Sequence, residues 1–232
     1  MAVLEVVPSG SRPTLDASFF HALHDCYARH GLSELAVPIA DDEHSLVSVV
    51  VMRDDNGVLL GGGRVHLRHA RLGFPAETTL RHFADARACV RGLPAHQTVE
   101  IASMWTTGTG GNSGVARIVA QGCLAAAIQL GKRLAFTISN PRFAPVLAAI
   151  GMVALLDAPE LPFPAVGYRS RLFATDLEGC KLAMRCDREI ITAISTSLRA
   201  GTDRMPLNEL TSIEHGRPSW TIRRTTQRIR VA

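Results

Sequence analysis

The segment that most constrains the fold runs from residue 99 to 140. VEIASMWTT at 99–107 reads as a strand, GTGGNSG at 108–114 as a glycine-rich loop, and VARIVAQGCLAAAIQLG at 115–131 as a long helix. RLAFTISN at 133–140 is a second strand. Val115, Ile118, Val119, Gly122, Cys123, Ala126, Ala127 and Leu130 recur at helical spacing and form one apolar face, which places Cys123 in a core. Gly131 is positioned to end the helix. Strand, glycine loop, helix, strand is an α/β order.

Gly108, Gly110, Gly111 and Gly114 lie where the first amides of the helix are exposed and the helix dipole adds positive charge, an arrangement suited to phosphate. Two common phosphate loops do not fit. A Walker loop needs Lys-Ser/Thr after its last glycine, and Val115-Ala116 stand there; a dinucleotide fingerprint starting at Gly108 needs glycine at Ser113.

The flanking sequence predicts further elements. Residues 14–31 read as a helix with Phe19, Phe20, Leu23 and Tyr27 on its apolar side. Residues 45–68 form a hairpin around Asp54-Asp55-Asn56-Gly57, where Asn-Gly supplies the positive φ of a tight turn. One helix is expected over 76–91, a short one over 141–152, a strand over 166–177 and a last helix over 181–199, with a loop at 158–164. The expected organisation is a domain over 1–177 and a helical, basic extension over 178–232.

Composition narrows the function classes. Net charge is +4 and the pI about 9.0, but basic residues are dispersed except in RRTTQRIR at 223–230. No patch interleaves them with aromatics, so dedicated nucleic-acid binding is not expected. The mild positive charge suits a phosphorylated ligand or an acidic carrier protein. Five cysteines at 26, 89, 123, 180 and 186 lack metal-ligand spacing, so no metal site is expected. No apolar run reaches membrane-spanning length and no secretory leader is visible, which leads to a cytoplasmic expectation.

Gly111-Asn112-Ser113-Gly114-Val115-Ala116 resembles the Gln/Arg-x-x-Gly-x-Gly/Ala loop of the GNAT acyltransferase superfamily, with glycine at the Gln/Arg position. Asn140 after the next strand and Gly151-Met152 after the next helix stand where that superfamily often has Asn and Gly-Phe. Within it, VEIASMWTT and GGGRVHLR resemble strands of the acyl-homoserine lactone and N-acyl amino acid synthases, as do Pro75, Glu77 and Phe83. Ser103 replaces the branch's second arginine, Asp41-Asp42-Glu43 is a loose match to its paired acids, and Leu147 stands where many acetyltransferases have a catalytic tyrosine.

The resemblance implies a largely antiparallel, twisted mixed sheet flanked by helices, and transfer of an acyl group from a thioester to an amine. It implies that Gly111, Asn112, Ser113, Gly114, Val115, Ala116 and Asn140 bind the phosphates of acyl-CoA or an acyl carrier protein. Met104, Trp105 and Thr106 would pair through their backbone with pantetheine, although Trp105 also reads as core. Glu100, the one carboxylate in its strand, would be the base that deprotonates the acceptor, or else a strand-start glutamate in solvent or paired with an arginine. Arg64 and Ser103 would contact an amino-acid-like acceptor, Arg64 by a fork on its carboxylate, although Arg64 reads equally as an outward-facing charge.

His66 and His69 are expected to be solvated. Met152, Val153, Leu155, Leu156, Leu161 and Phe163 would wall an acyl tunnel or be ordinary core. An acetyl-CoA-dependent amine N-acetyltransferase, a non-catalytic binding module and a homodimer remain open alternatives.

Overall fold

The computed structural model describes residues 2–108, 113–155, 157–165, 167–178, 181 and 183–211. Its strands form one eight-stranded sheet in the order β6-β7-β5-β4-β3-β2-β1-β8. They are β1 (Val3–Pro8), β2 (Val47–Arg53), β3 (Leu59–His66), β4 (Thr98–Thr106), β5 (Leu134–Ser139), β6 (Val153–Ala154), β7 (Arg171–Asp176) and β8 (Arg204–Pro206). All neighbours are antiparallel except β4 and β5, which run parallel. The parallel pair is joined by helix α4 (Ser113–Gln129), the crossover that parallel strands require. The mixed, mainly antiparallel sheet expected from the sequence is therefore present.

Helix α4 covers one face. Val115, Val119, Cys123 and Ala126 pack on Val50, Val65, Val99 and Ile101, and α6 (Arg185–Arg199) adds Ile190, Ile191 and Ile194 to the same cluster. Cys123 is fully buried, as its place on the helix stripe predicted. The close approach of α4 depends on β3: a Cβ on Gly63 would lie 3.0 Å from Cys123 Sγ and 3.1 Å from Met104 Cγ. On the opposite face a Cβ on Gly62 would lie 2.7 Å from Phe19 Cε2, so α1 (Pro13–Ala28) also rests on bare backbone.

That opposite face carries two separate apolar clusters. One gathers Leu15, Phe19 and Leu23 of α1 with Val49, Val51 and Trp105. The other gathers Phe74, Ala76 and Leu80 around α2 (Pro75–Thr79), Ala86 and Val90 of α3 (Ala84–Arg91), and Phe136, Leu172 and Ala174 of β5 and β7.

Several boundaries differ from expectation. The helix expected over 76–91 is two, separated at Leu80–Phe83. On a continuous helix Leu80 and Ala86 would point about 120° apart; the break lets both enter one cluster. The helix expected over 141–152 is a 3-10 turn at Pro141–Phe143 followed by α5 (Ala144–Ala149). β7 begins only at Arg171, where pairing with β5 starts. β1 and β8 carry no assignment in the sequence reading; β8 is three residues long and pairs with β1 at the sheet edge. The segment after β7 also supplies α6 and α7 (Leu207–Thr211), while the basic run at 223–230 lies outside the described residues. No helix among the described residues is long and apolar enough to cross a membrane.

Candidate functional site

β4 and β5 pair only over Thr98↔Leu134, Val99↔Ala135 and Glu100↔Phe136. β4 continues to Thr106 and β5 to Ser139 without further pairing between them. A stretch of β4 backbone from Ile101 onward is thus left with its β5-facing amides and carbonyls free of strand partners. Such an edge can take an added extended chain.

A bulge shapes the same stretch. Gly62 faces Trp105 while Arg64 faces Ala102, so two residues of β4 oppose Gly63 alone. Ser103 sits in it with φ +53°, the one non-glycine residue of positive φ among those described. The extra residue turns Met104 toward α4 and Trp105 toward α1. Trp105 is buried edge-on against Phe19, with ring centroids 5.8 Å apart. Its indole therefore serves as core, and only its backbone lies at the open edge.

Between the two apolar clusters runs a polar strip: Arg64 and His66 of β3, and Glu100 opposite His66 on β4. Glu100 is 4% exposed, and its Oε2 accepts the N–H of Ala76 at 2.8 Å. Burial pushes its carboxyl up to about 8, with the nearby negative charge of Glu77 acting in the same direction and the Ala76 bond against it. Burial, reinforced by the Arg64 charge, holds the His66 imidazole down to about 3. His66 is half-buried and uncharged near neutrality, contrary to the solvated histidine expected. His69 is also half-buried, and its Nδ1 accepts the N–H groups of Arg71 and Leu72.

Arg64 is 5% exposed. Its Nη1 donates to Val37 O at 2.7 Å, and its Cζ stands 4.9 Å over the Phe19 ring. Its Nε is buried without a partner, and no carboxylate among the described residues lies within ion-pair distance. Burial lowers the guanidinium to about 10, offset in part by Tyr27, Asp16 and Glu43. Tyr27 is itself pushed up to about 12, chiefly by burial.

Other expected residues divide. Gly111 and Asn112 lie outside the described residues, as do Leu156 of the supposed tunnel and Cys180. Ser113 begins α4, and Gly114, Val115 and Ala116 follow in its first turn, where helical amides lack intrahelical acceptors. The side chains of Val115 and Ala116 are buried, so only their backbone can meet a ligand. Asn140 uses Oδ1 to accept the Arg142 N–H at 2.8 Å and so caps the turn after β5. Met152 joins the α4-side cluster whereas Leu155, Leu161 and Phe163 join the other, so these residues do not wall a common tunnel. Leu147 is fully buried.

Glu77 was recognised only through its place beside Pro75. Its carboxylate is buried, accepts the Phe74 N–H at 3.1 Å and is held by Arg68 at 2.9 Å and Arg91 at 3.2 Å. These attractions and the Phe74 bond keep it below its ordinary range despite desolvation. A glutamate in a short polar helix gives no sequence signal of burial; Gly73, whose Cβ would overlap this carboxylate, is the nearest cue.

No protein-family model matches the sequence, and no curated protein matches it. Solved structures do. The N-acyl amino acid synthase FeeM from uncultured soil microbes aligns over 79% of this chain and 95% of its own, with 12% identity and a TM-score of 0.58. The CoA-dependent acyl-homoserine lactone synthase MesI aligns over 86% and 94%, with 16% identity and a TM-score of 0.57. A second such synthase, BjaI, solved with SAM and isopentyl-CoA, aligns over 92% and 99%, with 13% identity and a TM-score of 0.56. At these identities the likeness is one of fold.

Proposed function

We propose that the chain is an N-acyltransferase that moves an acyl group from a pantetheine thioester to the amine of a small acceptor bearing a carboxylate. The observation that carries this reading is Arg64. Among the described residues its guanidinium has one carbonyl partner and no carboxylate; burying a charge so is costly, and an acceptor carboxylate would supply a counter-charge. Glu100 lies on the same sheet face, two residues along β4 from Ala102, the residue paired with Arg64. That diagonal spacing, roughly 7–8 Å between the strand positions, suits a ligand with an amine at one end and a carboxylate at the other.

In this reading the donor's pantetheine lies along the free edge of β4, and its phosphate meets the first turn of α4. Acyl-CoA and an acyl carrier protein present the same thioester and the same first phosphate. The acceptor arrives as an ammonium, and Glu100 in its ionised form takes a proton from it. The amine nitrogen then bonds to the thioester carbonyl carbon, the C–S bond breaks, the electron pair leaves on sulfur as thiolate, and the second amine proton passes to that thiolate or to water. Fully buried Leu147 offers no acid to that thiolate, which as a good leaving group needs none. An acyl chain would pack against the apolar cluster of Leu155, Leu161 and Phe163 with Phe74 and Phe136.

The test is mass spectrometry of lipid extracts from cells overproducing the protein, beside Arg64→Met and Glu100→Gln controls. New N-acyl amino acids absent from both controls are expected. Turnover of acetyl-CoA with simple amines would replace the reading by short-chain acetyl transfer. No product with acyl-CoA, acyl carrier protein or acetyl-CoA would replace it by ligand binding alone.

A further inference from the structure

We propose that Glu77 is the positioning residue of Glu100: held between Arg68 and Arg91, it fixes the turn whose Ala76 N–H binds the Glu100 carboxyl and sets that carboxyl's proton affinity. The inference rests on the reading that Glu100 exchanges a proton with the acceptor, but its geometry is independent of that reading.

Two carboxyls converge on the N–H groups that flank Pro75 in one turn. Glu77 reaches back to the N–H of Phe74, its own N-cap residue, at 3.1 Å, while Glu100 accepts the N–H of Ala76 from across the sheet at 2.8 Å. Their support is unequal. Glu77 meets Arg68 Nε at 2.9 Å, Arg68 Nη2 at 3.4 Å and Arg91 Nε at 3.2 Å. Among the described residues Glu100 has one backbone amide, and none of the ion pairs involves it. Two neighbouring carboxyls with such different surroundings part in proton affinity, one held ionised and the other able to carry a proton near neutrality.

Across the β3–β4 pair Glu100 faces His66, with Arg64 at the next same-face position, and on the α2 side stands Glu77 with its partners Arg68 and Arg91. Phe136, its neighbour on β5, carries no charge. Among the described residues, Glu77 is the anion whose charge acts on Glu100. Its backbone N–H, donated to Phe74 O at 2.8 Å, closes the turn that aims Ala76 at Glu100.

The experiment is titration of the Glu100 carboxyl by carbon-13 NMR of side-chain-labelled glutamate, assigned by the resonance lost in Glu100→Gln. It is run on the wild type, Glu77→Gln and Arg91→Met. Glu77→Gln keeps an acceptor for Phe74 and removes the anion, so the Glu100 midpoint should fall by roughly one pH unit. Arg91→Met leaves Glu77 less compensated, and the midpoint should rise. Arg91 is half-exposed, which keeps this variant informative if Glu77→Gln does not fold.

An unmoved midpoint in the folded variants, or shifts of the same sign in both, would overturn the proposal. In parallel, the acid limb of the kcat/KM profile should move with the midpoint, whereas a merely structural role would lower kcat and leave the limb in place. If the midpoint moves but Glu100→Gln still transfers acyl groups, the base assignment fails and the positioning role stands.

Discussion

The carboxyl of Glu100 on β4 accepts the N–H of Ala76, the second residue of α2, at 2.8 Å. A strand side chain thereby satisfies an orphan donor of a helix packed against the sheet, and it does so at 4% exposure. Any role for Glu100 in proton transfer is thus coupled to the position of α2.

Stability should register this burial as a function of pH. With its folded value raised to about 8, Glu100 binds more protons in the folded than in the unfolded state between pH 4.5 and 8. Its contribution is intact below pH 4.5 and is lost as pH rises through 8. His66, lowered from 6.5 to about 3, acts oppositely and adds stability as pH rises from about 3 to 6.5. Above pH 6.5 the Glu100 effect is alone of the two. Glu100→Gln keeps an acceptor for Ala76 and cannot ionise, so its melting temperature relative to the wild type should climb from pH 6.5 to 9. A constant difference would show that Glu100 does not titrate there.

Arg64 should separate stability from affinity. Replacing a buried, uncompensated cation by an apolar side chain of similar length is often neutral or stabilising. Arg64→Met should therefore unfold within about 1 kcal/mol of the wild type despite losing the Val37 bond. Acceptor KM should rise at least tenfold, since a charge-assisted fork contributes roughly 1.5–3 kcal/mol. Denaturant titration and acceptor kinetics on one preparation check both halves. A large stability loss with unchanged KM would make Arg64 a structural residue.

Both residues stood out in the sequence, and so did the elements that carry them. The hairpin at Asn56-Gly57, β4, α4 and β5 follow from local turn chemistry and periodicity, and each forms close to its expected bounds. The rest depends on contacts between elements distant in the chain. Nothing in RVHLR marks His66 as lying opposite a carboxyl, because strand register is a property of the pair. Glu77 is marked in the sequence only by its place beside Pro75, and its burial follows from Arg68 and Arg91 closing on it from two other segments. The bulge at Ser103, a position whose difference from the resembled family was visible, could not be seen as backbone geometry. The split of the 76–91 helix follows from the cluster around Phe136, which only the sheet brings near.

Asp187 provides a test of how the segment after β7 is bound to the rest. Fully buried, it receives Arg117 Nε and Nη2 at 2.6 Å each, and Gln121 Nε2 at 2.7 Å. This ties the start of α6 to the second turn of α4. Asp187→Ala removes the carboxylate from a desolvated fork and should cost about 3–5 kcal/mol. Asp187→Asn, which retains only one acceptor, should fall between. Urea unfolding gives the two values, and a loss under 1 kcal/mol for Asp187→Ala would show the fork to be solvated.

The last prediction concerns how closely α4 approaches the sheet. A Cβ on Gly63 would stand 3.0 Å from Cys123 Sγ, with Met104 Cγ at 3.1 Å beside it. Both contacts are tighter than packed side chains hold, and Cys123 is fully buried with no room to retreat. Gly63→Ala should destabilise by about 1–3 kcal/mol through overpacking. Cys123→Ala deletes the obstructing sulfur at the cost of a small cavity. Combined, the two changes should restore part of the loss, with a favourable coupling of about 1 kcal/mol. Chemical denaturation of the wild type, both single variants and the double variant closes the cycle. Additive losses would mean that the added methyl is accommodated by moving β3, with Met104 and not Cys123 as the limiting contact. Because α4 also begins the first-turn amides proposed for donor phosphate, Gly63→Ala should raise donor KM, and the double variant should bring it back.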